Sequence, residues 1–421
     1  MEMSFLLQSN KKIPFGGEGE GEPMEKKSIC LVTGTRAEWG LLRRVAQGIE
    51  ASGLLSLQLA VTGAHLCAAF GHTVDEIEAD GLPIAARIPI LDKFGTATRQ
   101  DTAHTVAYAI GVFTDYFAAH RPDAVLVLGD RYEIFAAGAA ACLAGIPLAH
   151  ISGGDVTLGA ADEWFRHCLT KMAGLHFPSC AEYARRVVRM GEDPATVENV
   201  GGLGDENLRK LPLLGREELA ESLGFALDRP YALVTYHPET APGAAPAAQF
   251  EELVQALGAF PDLAVIFTKA NADAGGTAIN GRIDRLCADA PGRYIAFASM
   301  GALRYLSAMK YCAAVIGNSS SGVVETPTLG VPAVNIGSRQ RGRILCANVV
   351  CCEGDEASIR AAVGRALSPD FRRQAAAAVS PYNGGDTAAR IVAGLERWTH
   401  SPDFGRPKNF YDGPAQEGGA R

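Results

Sequence analysis

The stretch Ala124-Val-Leu-Val-Leu-Gly-Asp-Arg131 decides the fold. Five aliphatic residues in succession, with no polar alternation, suit a strand buried on both faces, and such strands belong to parallel sheets covered by helices. The run stops at Gly129 and delivers two charged residues, Asp130 and Arg131, at its carboxyl end. An Ala-rich helix to Leu143 follows, then a second strand, Pro147 to Ile151, ending in Ser152-Gly-Gly-Asp155. Upstream, a helix from Thr98 to about His120 leads in through Arg-Pro-Asp. Earlier still, the strand Ser28 to Thr33 runs through a Gly turn, Gly34-Thr-Arg36, into a helix over Leu41 to Glu50. The strand Leu57 to Thr62 ends in Gly63-Ala-His65. Strand, Gly turn and helix in repetition make a doubly wound α/β unit.

The pattern weakens near 202–230, where a charged helix (Gly215 to Leu223) precedes Asp228-Arg-Pro, and then resumes. Strands are predicted at Tyr231 to Thr235, Leu263 to Thr268, Ala313 to Ile316 and Pro332 to Ile336. Helices are predicted at Ala247 to Leu257, Gly301 to Met309, Val323 to Leu329, Phe371 to Val379 and Asp386 to Trp398. The chain therefore divides into a tail (1–25), a Rossmann-like domain (26–205), a second Rossmann-like domain (206–385), a terminal helix (386–400) and a second tail (401–421). Met24 is the expected start of the ordered protein. Ligands of open α/β sheets bind beyond the strands' carboxyl ends, so two such domains place a cleft between them.

Bulk properties exclude several classes. The 421 residues are 48% hydrophobic and 20% charged, with 47 glycines, a globular profile with length for more than one core. A formal charge of −8 gives no general field for nucleic acid or anionic membranes, so neither partner is expected. No apolar run is long enough for a membrane span and no secretory signal is visible, so a cytoplasmic location is expected. The ten cysteines form no CxxC pair and read as thiols in a reducing compartment; no metal site is expected, the adjacent Cys351 and Cys352 included. The turn after the first strand lacks GxGxxG and there is no Walker A sequence, which argues against NAD and P-loop chemistry; no cofactor is expected.

Chemistry is concentrated at strand ends. Gly317-Asn318-Ser319-Ser320-Ser321-Gly322, between a buried strand and a helix, offers backbone N–H groups and hydroxyls to a phosphate. Glu325 lies further along the same helix, where ribose hydroxyls are a suitable partner. Arg339, Arg341 and Arg343 concentrate positive charge past the next strand, as a diphosphate requires in an acidic protein. Asp130 follows a purely aliphatic strand, where a carboxylate is costly unless it faces a cleft. Asp155 ends the next strand. Asp162 and Glu163 open a helix bearing Arg166 and His167, with Asp162 and Arg166 also spaced for a plain helical ion pair. His65 and His237 each follow a strand.

In order along the chain stand Thr33-Gly-Thr-Arg-Ala-Glu38, Thr62-Gly-Ala-His65, Leu128-Gly-Asp-Arg131, His150-Ile-Ser-Gly-Gly-Asp155, Asp162-Glu163 with Arg166-His167, Tyr236-His237-Pro238, Asn271-Ala-Asp-Ala-Gly275, Gly317-Asn-Ser-Ser-Ser-Gly322 and Asn335-Ile-Gly-Ser-Arg-Gln-Arg-Gly342. This ordered set resembles the UDP-N-acetylglucosamine 2-epimerase family, in its hydrolysing branch, from about residue 28 to 395. The resemblance implies the GT-B fold, two Rossmann-like domains facing a central cleft. It also implies loss of the C2 proton and of UDP to give a 2-acetamidoglucal, then hydration to free N-acetylmannosamine. By position it makes Asp130 and Asp162 acid/base residues, and His237 a catalytic or diphosphate-contacting residue. Arg36 and Arg339 become nucleotide or diphosphate contacts, Ser319 and Ser320 phosphate contacts, and Glu325 the ribose contact. His65, Asp155, Arg166, Asn271 and Asn318 complete the expected substrate contacts.

Ser152 departs from the pattern, because many N-acetylglucosamine-acting relatives carry Glu there. A third carboxylate is missing unless Asp155 serves. The departure opens a second possibility for the sugar, UDP- or GDP-linked N,N'-diacetylbacillosamine of the legionaminic acid route. A GT-B glycosyltransferase or a non-catalytic sugar-nucleotide sensor would share the fold. The expected assembly is a homodimer or homotetramer.

Overall fold

The computed structural model describes residues 25–68, 72–91, 93–94, 98–157, 162–237, 246–269 and 276–413. Residues 1–24 with Met24 among them, Pro238 and Asn271 lie outside the described residues.

The first sheet comprises β1 (Lys27–Thr33), β2 (Leu55–Thr62), β3 (Ile84–Ile88), β4 (Ala124–Leu128), β5 (Leu148–Ile151) and β6 (Leu175–Phe177), in the order β3-β2-β1-β4-β5-β6. The second comprises β7 (Tyr231–Thr235), β8 (Ala264–Thr268), β9 (Tyr294–Phe297), β10 (Ala314–Gly317), β11 (Ala333–Ile336) and β12 (Val349–Cys352), in the order β12-β11-β10-β7-β8-β9. All the strand pairs are parallel. Counted within its own half of the chain, each sheet has the same order, so each has a topological switch point, between β1 and β4 and between β7 and β10.

Burial follows the two-residue period of a strand. In β1, Ile29 and Leu31 enter one core cluster while Cys30 and Val32 enter the cluster on the opposite face. In β7, Ala232 and Val234 divide from Tyr231 and Leu233 in the same way. Both faces of both sheets are therefore packed, and polar chemistry is displaced to the strand ends.

The helix expected over Val323 to Leu329 is instead two short turns, Ser321–Val324 and Thr326–Leu329, with Glu325 at the junction. Pro327 lacks the N–H a continuous helix would use and disfavours it locally. The terminal helix, Thr387–Thr399, returns to the first domain: Ala388, Ile391, Val392 and Leu395 are buried beside Trp39, Leu42 and Val45 of the helix Arg36–Ala51. Full burial of Ile391 or Leu395 contributes roughly 2 kcal/mol each.

Residues 401–413, expected as part of a tail, are tethered to the first domain. Phe404 stacks edge-on against Trp398 at 5.1 Å, and the Tyr411 N–H donates to Gly191 O at 2.9 Å. Lys408 Nζ donates to Ala173 O (2.8 Å) and to Glu192 Oε2 (2.7 Å). Glu192 is buried, which by itself raises a carboxyl, but bonds from His176, Lys171 and Lys408 outweigh burial and hold it down to about 2. A depressed carboxyl stabilises the fold above its unfolded pKa, and that stability is lost as pH falls toward the folded value. Docking of residues 401–413 should accordingly be complete near neutral pH and weaken as pH drops below about 4.5 toward about 2. Limited proteolysis across that range measures it, and Glu192→Gln should free the segment at neutral pH.

Candidate functional site

The switch point of the first sheet brings the ends of β1 and β4 side by side. After β1 the chain turns at Gly34, and Thr35 and Glu38 form a reciprocal capping box on the helix Arg36–Ala51. Glu38 Oε2 accepts from the N–H groups of Gly34 (2.7 Å) and Thr35 (3.2 Å). Arg36, exposed on this turn, bonds Glu76 through Nε at 2.9 Å and donates through Nη1 to Ser299 Oγ of the second domain at 3.3 Å. After β4, Gly129 takes a left-handed φ of 80° and Asp130 follows. His150, fully buried on β5, contacts Gly129 O through Nε2 at 2.8 Å and Thr170 Oγ1 through Nδ1 at 3.3 Å, which fixes the turn from behind. Burial lowers its pKa to about 3, so the ring is neutral.

Asp130 is ion-paired to Arg166. Arg166 is 2% exposed and also donates to Glu163 Oε2 (2.9 Å), Asp155 O (2.9 Å) and Thr157 Oγ1 (3.0 Å). These donors go to the protein, and its acidic partners in ion pairs are Asp130 and Glu163 rather than Asp162 four residues earlier. It is a buried arginine that ties the Asp130 turn and the Asp155–Thr157 loop to its own helix. His65 is fully buried, with Nε2 3.1 Å from Thr33 Oγ1 and Nδ1 2.8 Å from Thr73 Oγ1, so it supports the β1 end from below.

Asp155 is half-buried, and its Oδ1 has no hydrogen-bond partner. Burial pushes this carboxyl up to about 6, against the pull of Arg343 and Arg166. Asp162, exposed as a residue at the head of the helix Asp162–Met172, is raised by desolvation of its carboxyl and then by the charge of Asp130. Ser152 sits at a left-handed φ of 64°, which few non-glycine residues adopt.

At the second switch point, Asn318 is fully buried, and both polar atoms of its amide are spent on His237. Oδ1 accepts the His237 N–H and Nδ2 donates to the His237 carbonyl, both at 2.8 Å. Asn318 O in turn accepts from Gln340 Nε2 (2.8 Å) and Arg339 Nη1 (3.3 Å). Asn318 is thus a clamp between β7, β10 and the Arg339 loop, where the sequence reading had it touching substrate. Gly317 allows the clamp: its φ is 139°, and a Cβ there would fall 1.9 Å from Thr235 O. Ser319 and Ser320 follow, partly exposed, with Ser319 Oγ accepting the Ser321 N–H at 3.4 Å. Glu325 Oε2 is buried without a partner, and burial raises this carboxyl despite Arg343 nearby.

Cross-domain contacts place the two halves opposite each other. Besides Arg36 and Ser299, the Tyr183 and Tyr382 hydroxyls lie 3.3 Å apart, Thr328 bonds Asp205, and Arg343 acts on both Asp155 and Glu325. Sequence reasoning missed Ser299, Glu133 and His150. Ser299 has no local signal, whereas Glu133, two residues past Arg131, could have been flagged as a carboxylate closing a catalytic turn. Among the described residues no group of three or more His, Cys, Asp or Glu is arranged to hold a metal ion, and no helix is long and apolar enough to cross a membrane.

Two doubly wound parallel sheets with facing strand ends define the GT-B class. Within it, the profile of the UDP-N-acetylglucosamine 2-epimerase family matches residues 47–396, and the chain belongs to that family. It is 38% identical to the GDP/UDP-N,N'-diacetylbacillosamine 2-epimerase (hydrolyzing) of Campylobacter jejuni over 78% of this chain and 85% of that protein. It is 37% identical to polysialic acid biosynthesis protein P7 of Escherichia coli over 92% and 98%. The crystal structure of the Neisseria meningitidis UDP-GlcNAc 2-epimerase bound to UDP-GlcNAc superposes with a TM-score of 0.75 at 18% identity, covering 87% of this chain and 99% of that one, a likeness of fold.

If Asn318 is a clamp, Asn318→Ala removes both bonds to the partly buried His237 backbone and should lower unfolding stability by about 2 kcal/mol, read from urea titration. Unchanged stability with lost nucleotide binding would make Asn318 a ligand contact instead.

Proposed function

We propose that the protein is a hydrolysing 2-epimerase of a nucleotide-linked 2-acetamido sugar. The observation that carries this reading is a set of three carboxylates in different environments at adjacent strand ends. Asp130 is ion-paired with Arg166, Asp155 is held near about 6 with a bare Oδ1, and Asp162 is raised beside Asp130. Two carboxyls raised by burial beside a third that is ion-paired suit a reaction that removes one proton and delivers another.

In the first step a carboxylate takes the C2 proton while the C1–O bond to the diphosphate breaks, giving nucleoside diphosphate and a 2-acetamidoglucal. Water then adds, its hydroxyl to C1 and a proton to C2 on the opposite face, which releases the free 2-epimer. Asp130 and Asp162 are assigned to these proton transfers, with Asp155 as the third carboxylate, acting as a base, in place of the Glu that Ser152 replaces. Arg36, Arg339, Ser319 and Ser320 stabilise the departing diphosphate, where developing charge rewards fixed donors most. His237, partly buried at the β7 end, joins them, and Glu325 receives the ribose.

For the sugar, the reading is a 2,4-diacetamido-2,4,6-trideoxy hexose. It is supported by the name of the Campylobacter relative and by the small side chain at Ser152 where a Glu would otherwise stand. UDP-N-acetylglucosamine is the second reading, favoured by the description of the family profile.

Separate incubation with UDP-N-acetylglucosamine and with UDP- and GDP-linked diacetamido sugars, followed by proton NMR, tests both. The expected result is free 2-epimer from a diacetamido donor with kcat/KM at least about ten-fold above UDP-N-acetylglucosamine. Preference for UDP-N-acetylglucosamine would install the second reading, and no release from any donor would sink the epimerase assignment. For Asp155 acting as a base, the carboxyl is protonated below about 6 and ionised above it, so kcat/KM should climb as pH rises through that value. Asp155→Asn should abolish that limb and lower the rate about 10²–10⁴-fold.

A further inference from the structure

Beneath the Gly34 turn lie two carboxylates that the proton transfers above do not use. Glu38 reaches up from the first turn of its helix, its side chain 9% exposed. Glu133 stands at the start of the helix Tyr132–Leu143, its side chain 1% exposed. They converge on the same turn. Glu38 Oε2 caps the Gly34 and Thr35 N–H groups, while a Cβ on Gly34 would lie 2.7 Å from Glu133 Cγ. Arg131 Nε donates to Glu133 Oε1 at 2.5 Å and stands 4.0 Å from Glu38 Oε1, too far for a hydrogen bond. Each carboxylate keeps one buried oxygen without a partner, Oε1 of Glu38 and Oε2 of Glu133.

Two bare buried oxygens and one guanidinium do not balance. With both carboxylates ionised the trio carries an excess negative charge in a low-dielectric pocket, next to a cleft that must admit a diphosphate. The N-termini of the two helices offset part of that charge, since each adds a partial positive end. A single proton would supply the missing donor and leave the trio neutral.

We infer that Glu38 and Glu133 share one proton in the working enzyme, and that this pair positions Arg131 and the Gly34–Arg36 turn for the nucleotide sugar. Acidity supports the geometry: burial, reinforced by the charge of Glu133, pushes Glu38 up to about 8. The other groups within reach are few. Tyr132 and Asp162 both feel the charge of Glu133. His65, whose N–H donates to Gly34 O at 3.3 Å on the other side of the turn, is kept neutral by burial, its pKa lowered to about 4. Loss of the shared proton sets two carboxylates against each other around Arg131. The expected consequence is weaker donor binding rather than slower chemistry.

The effect on binding rests on the epimerase reading, whereas the shared proton does not, so the test begins without substrate. Infrared spectra of the wild-type protein near neutral pH should contain a carboxylic-acid C=O band that fades as pH rises through about 8. Glu38→Gln and Glu133→Gln should each remove that band, because neither leaves a second carboxyl to share with. Absence of the band in the wild type, or its survival in both variants, overturns the inference, and the wild-type titration decides alone if the variants fail to fold. With the donor that NMR identifies, KM should rise several-fold above about pH 8 while kcat changes little, and Glu38→Gln should abolish that rise. A wild-type KM that is flat across the range would refute the positioning role even with the band present.

Discussion

The side-chain amide of Asn318 accepts the N–H of His237 and donates to its carbonyl, and the second half of the cleft is built on that pair of bonds. They join the carboxyl ends of β7 and β10 at the switch point, hold His237 where β7 stops, and leave Asn318 O to anchor the loop of Arg339 and Gln340. The closeness demands glycine at 317, since any Cβ would overlap Thr235 O. Arg166 plays the matching part in the first half, a buried guanidinium tying Asp130, the Asp155 loop and Glu163 together. In both halves a buried polar group is committed to its neighbours, and such networks rigidify when their members are satisfied. The groups that remain available to a ligand are then few.

Those available groups divide by domain. The first domain contributes Asp155 and Asp162, raised by burial against the pull of Arg343, Arg166 and Arg131, beside the ion-paired Asp130. The second contributes serines and Arg339 past apolar strands, a setting for an anion in a protein whose formal charge is −8. A reaction that pulls a weakly acidic C–H proton and expels a diphosphate needs both at once, and a cleft between two sheets supplies them from opposite walls.

What was legible in the sequence follows from burial. The eight strands visible as apolar runs, β1, β2, β4, β5, β7, β8, β10 and β11, are the interior strands of their sheets. The four that escaped, β3, β6, β9 and β12, are the edges. Three of these edges alternate or mix buried and open positions, and β6 has only three residues, so none forms a recognisable run. The same logic governs the site. Asp130 and Asp155 stood out as charges past strand ends, and Asp162 as an acid opening a helix. His65, Arg166 and Asn318 stood out equally well, yet each is buried and bonded to protein, because the sequence marks a polar residue at a strand end without saying which way it turns. His150 lies inside an apolar strand and Glu133 just past a charged turn, and neither was singled out, although their ring and carboxylate brace the two central turns.

The most direct test of elimination followed by hydration is the isotope content of the released sugar. Turnover in heavy water should place one deuterium at C2 of the free sugar, with the configuration at that carbon inverted. Protium retained at C2, or a sugar released with its original configuration, would contradict the mechanism and mark a simple hydrolase in its place.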